Sequence, residues 1–218
     1  MEYLTNLLEF ILHIDLYISS LLEQYGHAVN YILFIIVFCE TGLIITPFLP
    51  GDSLLFTIGA FSANGDFNVY WISALLITAA ILGDTVNYAL GKRIGPKIFH
   101  YEKSRFFKKE YLNKAHAFYE KYGGKTIIIA RFVPIVRTFA PFVAGIGQMS
   151  YKKFLLYNIV GAFSWVVLFI GAGFYFGNLE VVKKNFTMVI FAIIIISLLP
   201  GIVEYWQVKK EEAKIDKK

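Results

Sequence analysis

Thr46-Pro47-Phe48-Leu49-Pro50-Gly51-Asp52 interrupts an otherwise apolar stretch, with one apolar arm at 29–45 and a second at 53–61. Pro47, Pro50 and Gly51 fall within five residues, which ends the first helix and turns the chain. At about 1.5 Å per residue, the second arm is too short for a hydrocarbon core of about 30 Å. The segment 28–63 is therefore predicted to enter and leave the membrane on the same side, as a re-entrant hairpin. Further along, 126–149 carries Pro134, Pro141, Gly145 and Gly147 in an apolar context and is predicted to be a second hairpin.

The rest of the chain fits this environment. A hydrophobic content of 57% and a mean hydropathy of +0.58 over 218 residues are too apolar for an ordinary soluble domain. The runs 69–91, 154–177 and 186–206 approach the roughly 20 residues a spanning helix needs. Residues 1–27 mix Glu2, Glu9, Asp15 and Glu23 with apolar residues and lack a basic start, which predicts an amphipathic helix at the membrane surface, not a cleaved signal. The expected fold is thus an all-α integral membrane protein: hairpin 28–63, span 69–91, basic segment 92–125, hairpin 126–149, span 154–177, an extra C-terminal span 186–206 and a basic tail 207–218.

Charge orients this plan. Of the 21 Lys and Arg residues none precedes Lys92, ten lie between Lys92 and Lys125 among three glutamates, and another group closes the chain from Lys209. The positive-inside rule places both basic stretches, and so the C-terminus, in the cytoplasm. On that bookkeeping the first hairpin enters from outside and the second from inside. Displacing the first half by 85 positions lays Asp52-Ser53 on Arg137-Thr138 and Gly59-Ala60 on Ala144-Gly145, and displacing by 82 lays Gly91 and Gly95 on Gly173 and Gly177. The expectation is an inverted repeat of broken-helix hairpins meeting near the midplane, an architecture of transporters. The two GxxxG pairs could pack within the chain or against a second copy, so a homo-oligomer stays open.

The informative residues are ionisable groups in these apolar segments: Glu40 and Asp52 in the first hairpin, Arg131 and Arg137 in the second. Each charge at bilayer depth costs about 2.5 to 3.5 kcal/mol, so they must be paired or wetted. Buried pairs stabilise poorly relative to apolar packing, which points to a task beyond holding the hairpins together. Guanidinium forks bind phosphate bidentately, and hairpin tips expose backbone N–H groups, so the task suggested is recognition of an anionic group. Glu40 and Asp52 would hold the arginines in the empty site and yield, by displacement or protonation, when the anion arrives. For Asp84, with Asn87 nearby, packing and function weigh equally; Ser53 and Thr138 read as helix caps or ligand contacts.

Other chemistries find little support. The four histidines show no paired spacing and Cys39 is the only cysteine, so no metal site is expected. No GxxxxGK[ST] loop occurs, no cofactor is expected, and the distribution of charge and aromatics argues against nucleic acid. No histidine lies in a predicted membrane segment, as a lipid phosphatase would need; the chain does not read as an enzyme.

Glu40, Pro47-Phe48-Leu49-Pro50-Gly51-Asp52, Gly83-Asp84, Arg131-Phe132-Val133-Pro134-Ile135-Val136-Arg137, Ala144-Gly145 and Met149 together strongly resemble the DedA family of bacterial membrane proteins. That family shares the SNARE-associated (VTT) domain with eukaryotic lipid scramblases, and the resemblance covers roughly 28–177. It implies a bacterial cytoplasmic-membrane protein that returns undecaprenyl phosphate, a polyprenyl phosphate lipid, across the membrane, with dependence on the proton motive force. It also implies that the essential acids are Glu40 and Asp52 and the essential arginines Arg131 and Arg137. Two other classes stand beside this lipid-phosphate flippase: a proton-coupled antiporter of small ions, and a membrane scaffold that transports nothing.

Overall fold

In the computed structural model residues 14–43, 51–98, 123–197 and 199 are described, and all regular structure among them is helical. The order is α1 (Ile14–Tyr25), a 3-10 turn (Gly26–Ala28), α2 (Val29–Gly42), α3 (Gly51–Asn64), α4 (Val69–Ile98), α5 (Lys125–Ala130), α6 (Pro134–Ile146), α7 (Tyr151–Phe176), α8 (Glu180–Lys184) and α9 (Phe186–Ser197). The breaker residues 46–50, the segment 99–122, the N-terminal 1–13 and the tail 207–218 lie outside the described residues. Three stretches are long and apolar enough to cross a membrane: Ile14–Gly42, Val69–Ile94 and Tyr151–Phe176. The protein is an all-helical membrane protein.

Local chemistry explains most of the boundaries. Asn68 Oδ1 accepts from the backbone N–H groups of Tyr70 and Trp71, both at 3.1 Å, and so starts α4. The α4 helix runs past the predicted end at Gly91 to Ile98, through Lys92 and Arg93, which are good helix formers, and on across Gly95 and Pro96. Gly26, with φ 51°, marks the joint between α1 and α2 where the predicted surface helix would end, yet the helical path continues across it. Ile14 and Ile18 of α1 are buried in the main core. Of the predicted span 186–206, the helix Phe186–Ser197 is described.

Two predicted breakers do not break their helix. Pro141 and Gly145 both lie inside α6. The chain instead interrupts at 131–133, and Pro134 opens α6, a position where its missing N–H would be unsatisfied anyway.

Packing pairs the elements crosswise. The first short arm, α3, packs mainly on α7, and its counterpart α6 packs mainly on α4. Glycines make both approaches possible. A Cβ on Gly59 would overlap the Ile170 carbonyl and one on Gly173 the Phe56 carbonyl; likewise Gly145 meets the Tyr88 carbonyl and Gly91 the Phe142 carbonyl. The pairs correspond one to one, since Phe56 and Gly59 precede Phe142 and Gly145 by 86 positions, and Tyr88 and Gly91 precede Ile170 and Gly173 by 82. The expected offset of 85 for the short arms is thus wrong by one residue. What aligns these arms is the glycine that must clear a carbonyl, and identity counts alone do not see it. Gly91 and Gly173 both face helices of this same chain.

Two apolar clusters result. The larger includes Leu55, Ile58, Leu76, Ala79, Ala80, Ala162, Trp165 and Ile170. The smaller gathers Tyr88, Ile127, Ala130, Ala140, Ala144 and Phe154. Along α4 the clusters are separated by Asp84 and Asn87, and along α7 by Asn158, so a polar layer lies between them. On the far side of α7, Leu156, Ile159, Val160, Phe163 and Val167 are exposed at helical spacing, a face suited to lipid.

Candidate functional site

The polar layer collects every intramembrane charge singled out above. Glu40 at the end of α2, Asp52 in the first turn of α3, Asp84 in α4, Arg131 in the break before α6 and Arg137 in its first turns are all buried. Arg137 takes both hairpin acids: its Nη1 donates to Asp52 Oδ1 at 2.7 Å and its Nη2 to Glu40 Oε1. Arg131 pairs instead with Asp84, through Nη2 to Oδ2, and the same nitrogen reaches Asn158 Oδ1 at 2.7 Å. Asp84 is therefore a full member of the cluster, and three carboxylates face two guanidiniums.

The geometry is held by neighbours. The Gly51 N–H donates to Glu40 Oε1 at 3.1 Å, tying the two arms of the first hairpin together. A Cβ at Gly51 would overlap the Glu40 carboxylate, which would have to shift to admit it. Gly83 serves the same end, since a Cβ there would overlap Thr41 Oγ1 and hold α2 away from α4. Asn158 Nδ2 donates to the Ile81 carbonyl at 3.1 Å, which fixes its oxygen toward Arg131. Asn87 Nδ2 donates to the carbonyls of Thr41 at 3.2 Å and Thr138 at 2.6 Å, clasping the two hairpins across α4.

Trp165 is the residue that sequence reasoning missed. It is fully buried, its Nε1 donates to Asp52 Oδ1 at 2.7 Å, and both guanidiniums stand over its ring, Arg137 Cζ at 5.2 Å and Arg131 Cζ at 5.8 Å from the centroid. One indole thus touches both halves of the cluster, by a hydrogen bond to an acid and by cation–π contact with two bases. The available signal was a tryptophan in the middle of a span, where an interfacial aromatic does not belong.

Ser53 is buried, and its hydroxyl has no hydrogen-bond partner, so it caps nothing. Thr138 is buried beside the clasp, with its carbonyl taken by Asn87. Other polar atoms of the cluster remain unspent: Glu40 Oε2, Arg131 Nη1 and Arg137 Nε are buried without a hydrogen-bond partner. A cavity of about 10 Å³ within the layer is bounded by Thr41, Asp84, Ile127, Arg131, Arg137, Pro141 and Trp165. That is space for about one water molecule. The arrangement is a closed, buried ion cluster whose arginines are occupied by the protein's own carboxylates, with one unpartnered donor atom left over on each.

Comparison with known proteins places the chain in a family. The VTT domain family matches residues 49–175. The chain is 52% identical to protein DedA of Escherichia coli K12 over 219 aligned residues, the full length of both. It is 48% identical over 181 residues to an uncharacterized membrane protein of Mycobacterium tuberculosis H37Rv, covering 82% of this chain and 79% of that one. It is 32% identical over 184 residues to the inner membrane protein YqjA of Escherichia coli K12, covering 84% and 83%. No solved structure matches. With a helical membrane fold, the VTT match over more than half its length and full-length similarity to protein DedA, this chain belongs to the DedA family of membrane proteins.

Proposed function

We propose that the protein is a transporter that moves undecaprenyl phosphate across the bacterial cytoplasmic membrane, with Arg131 and Arg137 receiving the phosphate and Glu40, Asp52 and Asp84 supplying the counter-charge. The observation that carries this reading is the pair of unspent donors, Arg131 Nη1 and Arg137 Nε, buried on two arginines that border a cavity of about 10 Å³. A buried polar group without a partner calls for an explanation, and a donor on each of two arginines is what an incoming phosphate would use. A phosphate does not fit the closed cavity. Loading therefore requires the hairpins to part, with the phosphate oxygens replacing carboxylates on the guanidiniums.

Proton linkage follows from charge count. With all groups ionised the cluster carries one excess negative charge, and admitting an anion adds more, so uptake of a proton by a carboxylate offsets the repulsion. The same excess favours a second reading, a proton-coupled antiporter of small ions that uses the acids as carriers. Proton flux without lipid movement, lost in Glu40→Gln, would select the antiporter. The topology proposed is the inverted one, with opposed re-entrant hairpins and the C-terminus in the cytoplasm. It is supported by the crosswise glycine packing and by the absence of Lys and Arg before Lys92.

The test is movement of undecaprenyl phosphate in proteoliposomes by wild type and Arg137→Lys, which keeps the charge and loses the planar fork. The expected result is transport by wild type and a loss of tenfold or more in an equally inserted variant. Equal transport by both would overturn the phosphate role of Arg137; none by wild type would overturn the lipid assignment.

A further inference from the structure

Three buried positions of α7 meet the charge cluster. Asn158, Gly161 and Trp165 fall at i, i+3 and i+7, a spacing that lines residues up along one face of a helix. Trp165 touches Asp52 and both guanidiniums. Gly161 leaves room for the Arg131 side chain: a Cβ there would stand 3.4 Å from Nε and 3.6 Å from Cδ. Asn158 closes a ring of hydrogen bonds. Its Nδ2 donates to the Ile81 carbonyl at 3.1 Å and its Oδ1 accepts from Arg131 Nη2 at 2.7 Å, while the same Nη2 donates to Asp84, one turn of α4 beyond Ile81. The amide has one orientation available, because a carbonyl only accepts and a guanidinium only donates.

The two arginines are therefore held differently. Among the described residues, the hydrogen-bond partners of Arg137 are two carboxylates, Glu40 and Asp52, both from the first hairpin. Those of Arg131 are one carboxylate and one neutral amide, carried by the long helices α4 and α7. A phosphate that replaces carboxylates takes both partners from Arg137. Arg131 keeps the Asn158 oxygen, since an uncharged acceptor does not repel an incoming anion. A side chain held in place before and after the exchange gives up less rotamer freedom on binding than one that is released and recaptured.

We propose, resting on the phosphate-transport reading, that Asn158 is the positioning residue of the anion site. It holds Arg131, with Nη1 unspent, as the fixed half of the site, and Arg137 is the half released when the first hairpin parts from it.

The test compares wild type, Asn158→Leu and Asn158→Asp in proteoliposomes at pH 8, following the initial rate of undecaprenyl phosphate movement against its mole fraction in the membrane, with thermal unfolding of each protein in one detergent. Leucine has a similar branched shape and gives Arg131 no acceptor. Its KM should rise by about tenfold or more while kcat per inserted protein changes by less than about threefold, the signature of lost substrate binding. Aspartate keeps the size and an oxygen on Arg131, so it should insert as wild type does, but its carboxylate competes with phosphate and its KM should also rise by about tenfold or more. A mere tie between α4 and α7 would move the unfolding midpoint or the inserted amount and leave KM alone. KM within about threefold of wild type in either variant that inserts, or loss of insertion in both, would overturn the positioning role and leave the transport reading standing. Wild type that moves no undecaprenyl phosphate would overturn the transport reading and this inference with it.

Discussion

The pairing of Arg131 with Asp84, in place of the hairpin acids, yields a sharp energetic prediction. Removing one member of a buried ion pair costs about 3 to 5 kcal/mol, because the other charge is left uncompensated. Asp84→Asn and Arg131→Gln should each fall near the lower end of that range: the amides keep some hydrogen bonding, and Arg131 retains Asn158 Oδ1 at 2.7 Å. The double variant leaves no orphaned charge at this pair. Its cost should therefore resemble that of one single variant, which gives a coupling energy of about 3 kcal/mol, at the upper end for contacting residues. For a chain of this size that is about 6 to 12 °C in midpoint temperature. The measurement is thermal unfolding of the four proteins in one detergent. As a control, Asp84→Asn combined with Arg137→Gln should couple by less than about 1 kcal/mol, since Arg137 is held by Glu40 and Asp52. Additivity of the first pair within about 0.5 kcal/mol, or stronger coupling of Asp84 to Arg137, would refute the partition of the cluster into these two pairs.

Gly59→Ala and Gly145→Ala should each lower stability by about 1 to 3 kcal/mol, read as midpoint temperature, because both added methyls meet a backbone carbonyl of the neighbouring helix. Gly171→Ala, where nothing lies within 4 Å, should stay within about 0.5 kcal/mol of wild type in the same assay. Trp165→Phe keeps the ring and loses the hydrogen bond to Asp52, a charge-assisted bond of about 1.5 to 3 kcal/mol; transport in proteoliposomes should fall by about tenfold or more with insertion unchanged. Asn87→Leu strips the donor from two buried carbonyls, those of Thr41 and Thr138, and should destabilise the protein by about 2 to 4 kcal/mol in chemical or thermal unfolding.

Sequence alone determined the solvent and the inventory of charges. Runs of apolar residues long enough to span a bilayer mark themselves, and an ionisable side chain among them stands out because lipid penalises it. Glu40, Asp52, Arg131 and Arg137 were legible for that reason, and the structure brings all four together with Asp84. The interruption before α6 was also legible in outline, although Pro141 proved compatible with a helix and Pro134 opens one. What only tertiary structure decided is which way each side chain faces and whom it meets. Residues 84 and 131, or 52 and 165, are too far apart in the chain for local periodicity to relate them; rotation of each helix about its axis sets their encounter. That rotation is fixed by where backbones can approach, at Gly59 against Ile170, Gly145 against Tyr88 and Gly83 against Thr41. Hence Trp165 reads in sequence as one more aromatic in an apolar span, and Asp84 as a residue for which packing and function weigh equally. Only the crossing of α3 on α7 and of α4 on α6 places them at the centre of the charge cluster.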